Sequence, residues 1–234
     1  MHIIISQTSP QTINLADYAQ QDLTITIASG VQVTCIYDQT NYEKFNIVFH
    51  LQHDAMLHCV LLVTGDQLSK INVAIFLDGQ GAHATVRGLY ALRGAAQTTI
   101  TTSQHHTSAH TTSNLIIKGL LNDTAKSLYQ GTIIVDQCAK QTKALQENKN
   151  MLLSPNAQAQ SIPSLEVLTN DVHCTHGSAS GYLDQHALFY AQTRGIDHQN
   201  AQRILLHGFF ADILESLPEN MVSDICARLD KISA

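Results

Sequence analysis

Between residue 1 and about residue 182 the chain repeats one event: a brief apolar, β-prone run followed by a break at Gly, Asn, Asp or Gln. The runs cover residues 23–27, 31–37, 45–51, 56–63, 71–77, 84–92, 98–102, 115–117, 131–135 and 165–167. They have the length and composition of strands, and no helical period lies between them. That excludes a βαβ sheet and leaves a sandwich, a barrel or a β-solenoid. An antiparallel meander needs tight hairpins, and the Asn-Gly or Asp-Gly pairs that make them are scarce, Asp78-Gly79 being the exception. A parallel β-helix, whose turns carry one rung to the next without hairpins, fits the pattern better.

Composition points the same way. The hydrophobic fraction is 44% while only 14% of residues are charged, so Gln, Asn, Thr, Ser and His must cover much of the surface. Stacked neutral polar side chains suit a solenoid face, whereas helical bundles carry Lys/Glu-rich outer stripes. Residues 98–114, TTITTSQHHTSAHTTSN, resemble such a polar ladder.

The last fifty residues change period. Asp184 is placed to cap a helix reaching Arg194, with Gly195 just beyond its end. Asp197 caps a second, through about Ser216, with Ala201, Ile204, Leu205, Phe209, Ile213 and Leu217 on its apolar side. Pro218 opens a third, with Met221, Val222, Ile225 and Leu229 on one side. The expected organisation is a β-helix body over residues 1–182 and a helical region over 183–234, packed on the body.

Several functions are disfavoured. A net charge of −6 offers no footprint for nucleic acid or an anionic membrane. No apolar run approaches the ~20 residues that span a bilayer, and the opening MHIIISQTSP lacks a basic, signal-like start. Five scattered cysteines, with no CxxC pair, point to a reducing compartment, and a cytoplasmic location is expected. There is no Walker A, HExxH or G-x-S-x-G pattern, so the chain is not expected to be an enzyme.

The segment from residue 162 to 211 carries the most specific signal. It contains Pro163-Ser164-Leu165-Glu166, Asp171-Val172, Cys174-Thr175-His176-Gly177, Leu183-Asp184, Leu188-Phe189-Tyr190, Arg194-Gly195-Ile196 and Gly208-Phe209 in that order. Upstream, HHTSAHTTSNLIIKGLLND, YQGTIIV and QENKNMLLS continue the series. Together these motifs resemble the C-terminal part of the SufB/SufD family, over roughly residues 100 to 215. Cys-Thr-His-Gly at 174–177 leans to the SufD side, and the added N-terminal region of typical members is mostly missing from this sequence. The resemblance implies a right-handed parallel β-helix with C-terminal helices, acting as a scaffold for iron–sulfur cluster assembly. It implies pairing with a SufB-like subunit through the β-helix end and docking of a SufC-like ABC ATPase on the helical region. It also implies a transient iron–sulfur cluster at the subunit interface rather than one held tightly by the isolated chain.

Cys174 and His176 are the candidate metal residues. If residues 172–176 are extended, both side chains share one face, because strand side chains alternate with period two. A thiolate and an imidazole suit iron, and nearby imidazoles would favour the thiolate. Two ligands are too few, so a partner must complete the site. The plainer alternative is a small buried Cys174 and a His176 satisfied by backbone. His173 falls on the opposite face. His105, His106 and His110 read as part of a solvated polar ladder, and Cys35, Cys59, Cys138 and Cys226 as core. In the second helix Phe209 follows the core period, which leaves Phe210, beside Ala211 and Leu214, as an exposed anchor for the ATPase. Phe209, Phe210 and Leu214 are the candidate partner-binding residues, and packing against the third helix is the alternative. Two other functions compete: a homodimeric ATPase-binding regulator without metal, and a β-helix carbohydrate-active enzyme. The second is disfavoured by the absence of Trp and the shortage of paired carboxylates.

Overall fold

The structure, a computed structural model, describes residues 1–7, 11–18, 22–39 and 44–233. Fourteen strands follow in order: β1 (His2–Ile5), β2 (Gln11–Asn14), β3 (Leu23–Ile27), β4 (Gln32–Gln39), β5 (Lys44–Leu51), β6 (Met56–Gly65), β7 (Leu68–Leu77), β8 (His83–Leu92), β9 (Gln97–His106), β10 (Thr112–Leu121), β11 (Lys126–Val135), β12 (Thr142–Leu152), β13 (Gln158–Val167) and β14 (Val172–Tyr182). Odd-numbered strands form one seven-stranded sheet in the order β1-β3-β5-β7-β9-β11-β13, and even-numbered strands form the other. Every pairing in both sheets is parallel, as in β10 with β8 and β12. This is a parallel β-helix: each rung gives one strand to each sheet, and the chain advances by one strand spacing per turn. Asp78-Gly79 therefore makes a corner between β7 and β8, which lie in different sheets, and not a hairpin.

Alternation along each strand sends every second side chain inside. In the early rungs these are aliphatic and aromatic: Val33, Cys35 and Tyr37 of β4, Phe45, Ile47 and Phe49 of β5, Ile71, Val73 and Ile75 of β7. Cys35 and Cys59 occupy paired positions in this core and are fully buried, as expected for both. Further along, the interior becomes polar. Thr98, Thr102, Gln104 and His106 of β9, Ser127 of β11, and Gln146, Asn148 and Asn150 of β12 are all buried. Buried polar groups need partners. Tyr90 Oη contacts Ser127 Oγ at 3.1 Å and donates to Asn150 Oδ1, while Thr102 Oγ1 meets Tyr129 Oη at 2.9 Å. His106 is held at both ring nitrogens, Nδ1 by Thr111 Oγ1 and Nε2 by Ser113 Oγ, each at 2.8 Å. The solvated ladder expected for His105, His106 and His110 is thus corrected for His106. His105 faces outward and stacks on Phe76, which stacks on His50, while His110 sits in a turn at φ +59°.

Three helices complete the chain: α1 (Gln185–Thr193), α2 (His198–Leu214) and α3 (Glu219–Ser233). Asp184 accepts from the amides of His186 and Ala187, and Asp197 from that of Asn200, so both caps are where the sequence put them. Gly195 follows the first helix at φ +84°. The helices pack on the outer face of the even sheet. Leu206, Phe210, Ile213, Leu217, Ile225 and Leu229 bury against Val60, Leu62, Leu89, Ala91 and Leu120. Polar ties hold the same junction: Lys118 Nζ donates to Phe209 O and Asp212, both at 2.7 Å, and Arg228 bridges Asp38 and Asp224.

This docking overturns the assignment of faces on α2. Phe210 is fully buried and Leu214 nearly so, whereas Phe209 is half-buried, edge-on to Phe210 and under the Lys118 ammonium. Ile204, assigned to the core side, is exposed. The sheet collects positions 206, 210, 213 and 217, a stripe turned by about one residue from the one the sequence suggested. Phe210 is therefore part of the core and not an exposed anchor. Cys138 is corrected as well: it lies exposed in the turn after β11, its thiol directed to Thr107 O at 3.1 Å. Cys226 is half-buried against the helix–sheet core.

Candidate functional site

At its C-terminal end the β-helix stops without a lid among the described residues. β13 and β14 are the last strands of their sheets, each paired on one side. Side chains that would be core one rung earlier are therefore open to solvent. Leu165 and Val167 of β13, paired with buried Ile133 and Val135, are more than a third exposed. Leu168 just beyond is two-thirds exposed.

β14 brings the two candidate ligands to this end. Its register pairs Val172 with Thr142, Cys174 with Ala144, His176 with Gln146, Ser178 with Asn148 and Ser180 with Asn150. Ala144, Gln146, Asn148 and Asn150 are buried interior residues, so Cys174 and His176 sit on the interior-facing side of the terminal rung. The extended backbone and shared face match what period-two alternation required. His173, paired with Lys143, falls on the outer side.

The two residues differ in setting. Cys174 is half-buried against Ile133, Val135, Ala139 and Ala144, while His176 is exposed. Burial raises the Cys174 thiol above its ordinary value, and a hydrogen bond with the Ala144 backbone opposes this only in part. The thiolate-favouring effect expected from nearby imidazoles is thus corrected, because the apolar wall beneath the sulfur dominates. A soft metal bound to the sulfur would favour the thiolate against this burial. Among the described residues no group of three or more His, Cys, Asp or Glu is gathered for a metal. Cys174 and His176 are two such residues on one face of the terminal rung.

Sequence reasoning missed the polar floor below this edge. Gln104 Nε2 of β9 donates to Gln146 Oε1 of β12 at 3.3 Å across the lumen, and both residues are fully buried. Asn150 Nδ2 donates to Ser180 Oγ of the terminal rung at 3.0 Å. Gly131 gives the Gln146 amide its room, for a Cβ there would lie 2.3 Å from Gln146 Nε2 and 2.5 Å from Tyr129 Oη. The signal was present as Ala144, Gln146, Asn148 and Asn150 at every second position, a strand period hidden by polarity.

A second exposed surface lies on the helices. Phe189, Tyr190 and Ile204 are each more than half exposed, and Tyr190 carries the Arg194 guanidinium 5.0 Å above its ring.

The structure thus defines a parallel β-helix, open at its C-terminal end among the described residues and followed by a helical tail, and the comparisons with known proteins give its family. Residues 11–209 match the family described as SUF system FeS cluster assembly, SufBD core domain, and the chain belongs to that family. It is similar to the iron–sulfur cluster assembly protein SufD of Escherichia coli, 27% identical over 180 residues, which cover 76% of this chain and 43% of that protein. It is also similar to SufD of Bacillus subtilis, 27% identical over 158 residues, 68% of this chain and 36% of the relative. An iron–sulfur cluster assembly SufBD family protein of Mycobacterium leprae is 28% identical over 175 residues, 71% of this chain and 45% of its own length. The likeness is SufD-like in character, and the chain spans less than half the length of these curated relatives.

Proposed function

We propose that the chain is a SufD-like scaffold subunit of an iron–sulfur cluster assembly complex in the cytoplasm. It pairs with a SufB-type subunit through the open end of the β-helix and with a SufC-type ABC ATPase through the helical region. The cluster is cargo, built at the subunit interface, where Cys174 and His176 contribute ligands and the partner completes the set. The observation that carries this reading is the register of β14, which puts a thiol and an imidazole two residues apart on the interior side of an uncovered rung. Unpaired edges on β13 and β14, with Leu165, Val167 and Leu168 beside them, are suited to continuation by another β-helix. For the ATPase, exposed Phe189, Tyr190 and Ile204 replace the buried Phe210 as contacts on the helical region.

The test is assembly. Purified chain is mixed anaerobically with a cognate SufB and SufC, and stoichiometry is read by size-exclusion chromatography with light scattering. A stable ternary complex, lost on placing Lys at Leu165 and Val167, supports the reading. A chain that ignores both partners and self-associates through the same end favours the homodimeric regulator instead.

A further inference from the structure

The helices leave part of the even sheet bare. They cover the later halves of its strands, through Val60, Leu62, Leu89, Ala91 and Leu120. Outward positions nearest the strand starts stay open. In register these form one column through His83, Thr112, Lys143 and His173, and a second through His58, Thr85 and Asn114. From β4 to β14 neither column contains an Asp or Glu, in a chain of net charge −6.

Two fixed cations on this strip lack a carboxylate among the described residues. Lys143 is exposed and enters none of the ion pairs. Arg87 is half-buried, and its guanidinium donates to neutral oxygens: Val86 O at 3.0 Å, Asn114 O and Asn114 Oδ1 at 3.1 Å each. Asp212 attracts Arg87 electrostatically but is tied to Lys118 at 2.7 Å, and Glu147 of the next column is tied to Lys149 at 2.7 Å. Two adjoining clefts, of about 300 Å³ and about 410 Å³, share Lys143 and His173 as walls. Thr112, Asn114 and Thr175 line the first, and Asp171, at the rim of the second, is the only carboxylate lining either.

Unpaired cations in an acid-free strip favour an anion, and the dimensions decide which kind. From His83 to His173 the first column crosses three strand spacings, about 14 Å, which is longer than one phosphate or carboxylate. Two fixed cations are too few for a nucleic-acid backbone, whose affinity comes from neutralising many phosphates.

We propose that this strip docks an extended acidic segment of a partner protein. Carboxylates of the segment meet Lys143 and the Arg87 guanidinium, while Thr112, Asn114 and Thr175 offer hydrogen bonds to its backbone. The surface lies on the reverse side of β14 from Cys174 and His176 and does not depend on either as a ligand.

The probe is a fluorescein-labelled octaglutamate peptide, titrated with the full chain at neutral pH and followed by fluorescence anisotropy, with the site mapped by amide shifts in NMR. Binding should perturb the starts of β8, β10, β12 and β14. It should weaken severalfold as salt rises from about 20 mM to about 200 mM. Lys143→Glu should weaken it about tenfold, by losing one exposed ion pair and adding a repulsion of similar size. Arg87→Gln, which keeps an amide donor for Asn114, should weaken it about threefold. Lys126→Glu makes the same charge change on the other sheet and should leave the affinity within about twofold, since the distant charge is screened. Equal losses in Lys126→Glu and Lys143→Glu, or shifts confined to other surfaces, overturn the proposal. Inorganic phosphate or an octathymidylate that competes as well as the peptide overturns the acidic segment as occupant. So does a dimer of the chain, seen by light scattering, that Lys143→Glu dissolves.

Discussion

Acid should loosen this β-helix from the inside, through one imidazole. His106 is fully buried, with Thr111 Oγ1 on Nδ1 and Ser113 Oγ on Nε2. Burial lowers its pKa from 6.5 to about 4, with His105 adding a smaller push in the same direction. The native state thus keeps the ring neutral while the unfolded chain protonates it first. A depressed histidine contributes stability that is complete above pH 6.5 and is lost as the pH falls toward 4. The full span of that shift is worth about 3 kcal/mol, and about 2 kcal/mol of it is gone by roughly pH 5. His106→Gln keeps hydrogen-bonding capacity and removes the titration. Urea unfolding of wild type and variant at about pH 7.5 and about pH 5 isolates the term, since other histidines contribute equally to both proteins. The stability advantage of the wild type should shrink by about 2 kcal/mol on acidification. Parallel pH profiles would refute the argument and mean that His106 is hydrated or already charged.

The remaining predictions are shorter. Gly131→Ala forces a methyl into the Gln146 amide and the Tyr129 hydroxyl and should cost about 1–3 kcal/mol by chemical denaturation. Phe210→Ala empties the helix–sheet core and should cost about 3–5 kcal/mol, whereas exposed Phe189→Ala should stay within about 0.5 kcal/mol of wild type and instead weaken ATPase binding by calorimetry. Arg228→Ala strands Asp38 against the sheet and should cost about 2 kcal/mol, with faster hydrogen exchange confined to α3 and its contacts.

The β-helix was legible where its interior is apolar. Residues 23–27, 45–51 and 71–77 declare themselves as strands because their buried positions are Leu, Ile, Phe and Val. β9 and β12 were harder. Only residues 98–102 of β9 looked like strand, and β12 hid behind QENKN, since Gln104, His106, Gln146, Asn148 and Asn150 occupy interior positions that pattern reading reserves for hydrocarbon. Capping residues fixed the helix starts, because Asp184 and Asp197 act locally. The docked face of α2 was misjudged because the choice between Phe209 and Phe210 is made by the sheet beneath it, through Val60, Leu89 and Leu120. For the site, spacing alone put Cys174 and His176 on one face. That this face belongs to the open end of the lumen, above Gln146, follows only from the parallel register.

The most direct test of the scaffold reading is cluster formation by the reconstituted complex, followed anaerobically by Mössbauer spectroscopy with iron, sulfide and ATP supplied. Wild-type chain with its SufB-type and SufC-type partners should accumulate a nascent cluster. His176→Ala should abolish it and Cys174→Ala should reduce or abolish it, with both variant complexes still assembled by light scattering. Undiminished cluster formation in the doubly substituted complex would contradict the ligand role and leave the open end of the β-helix as a protein interface alone.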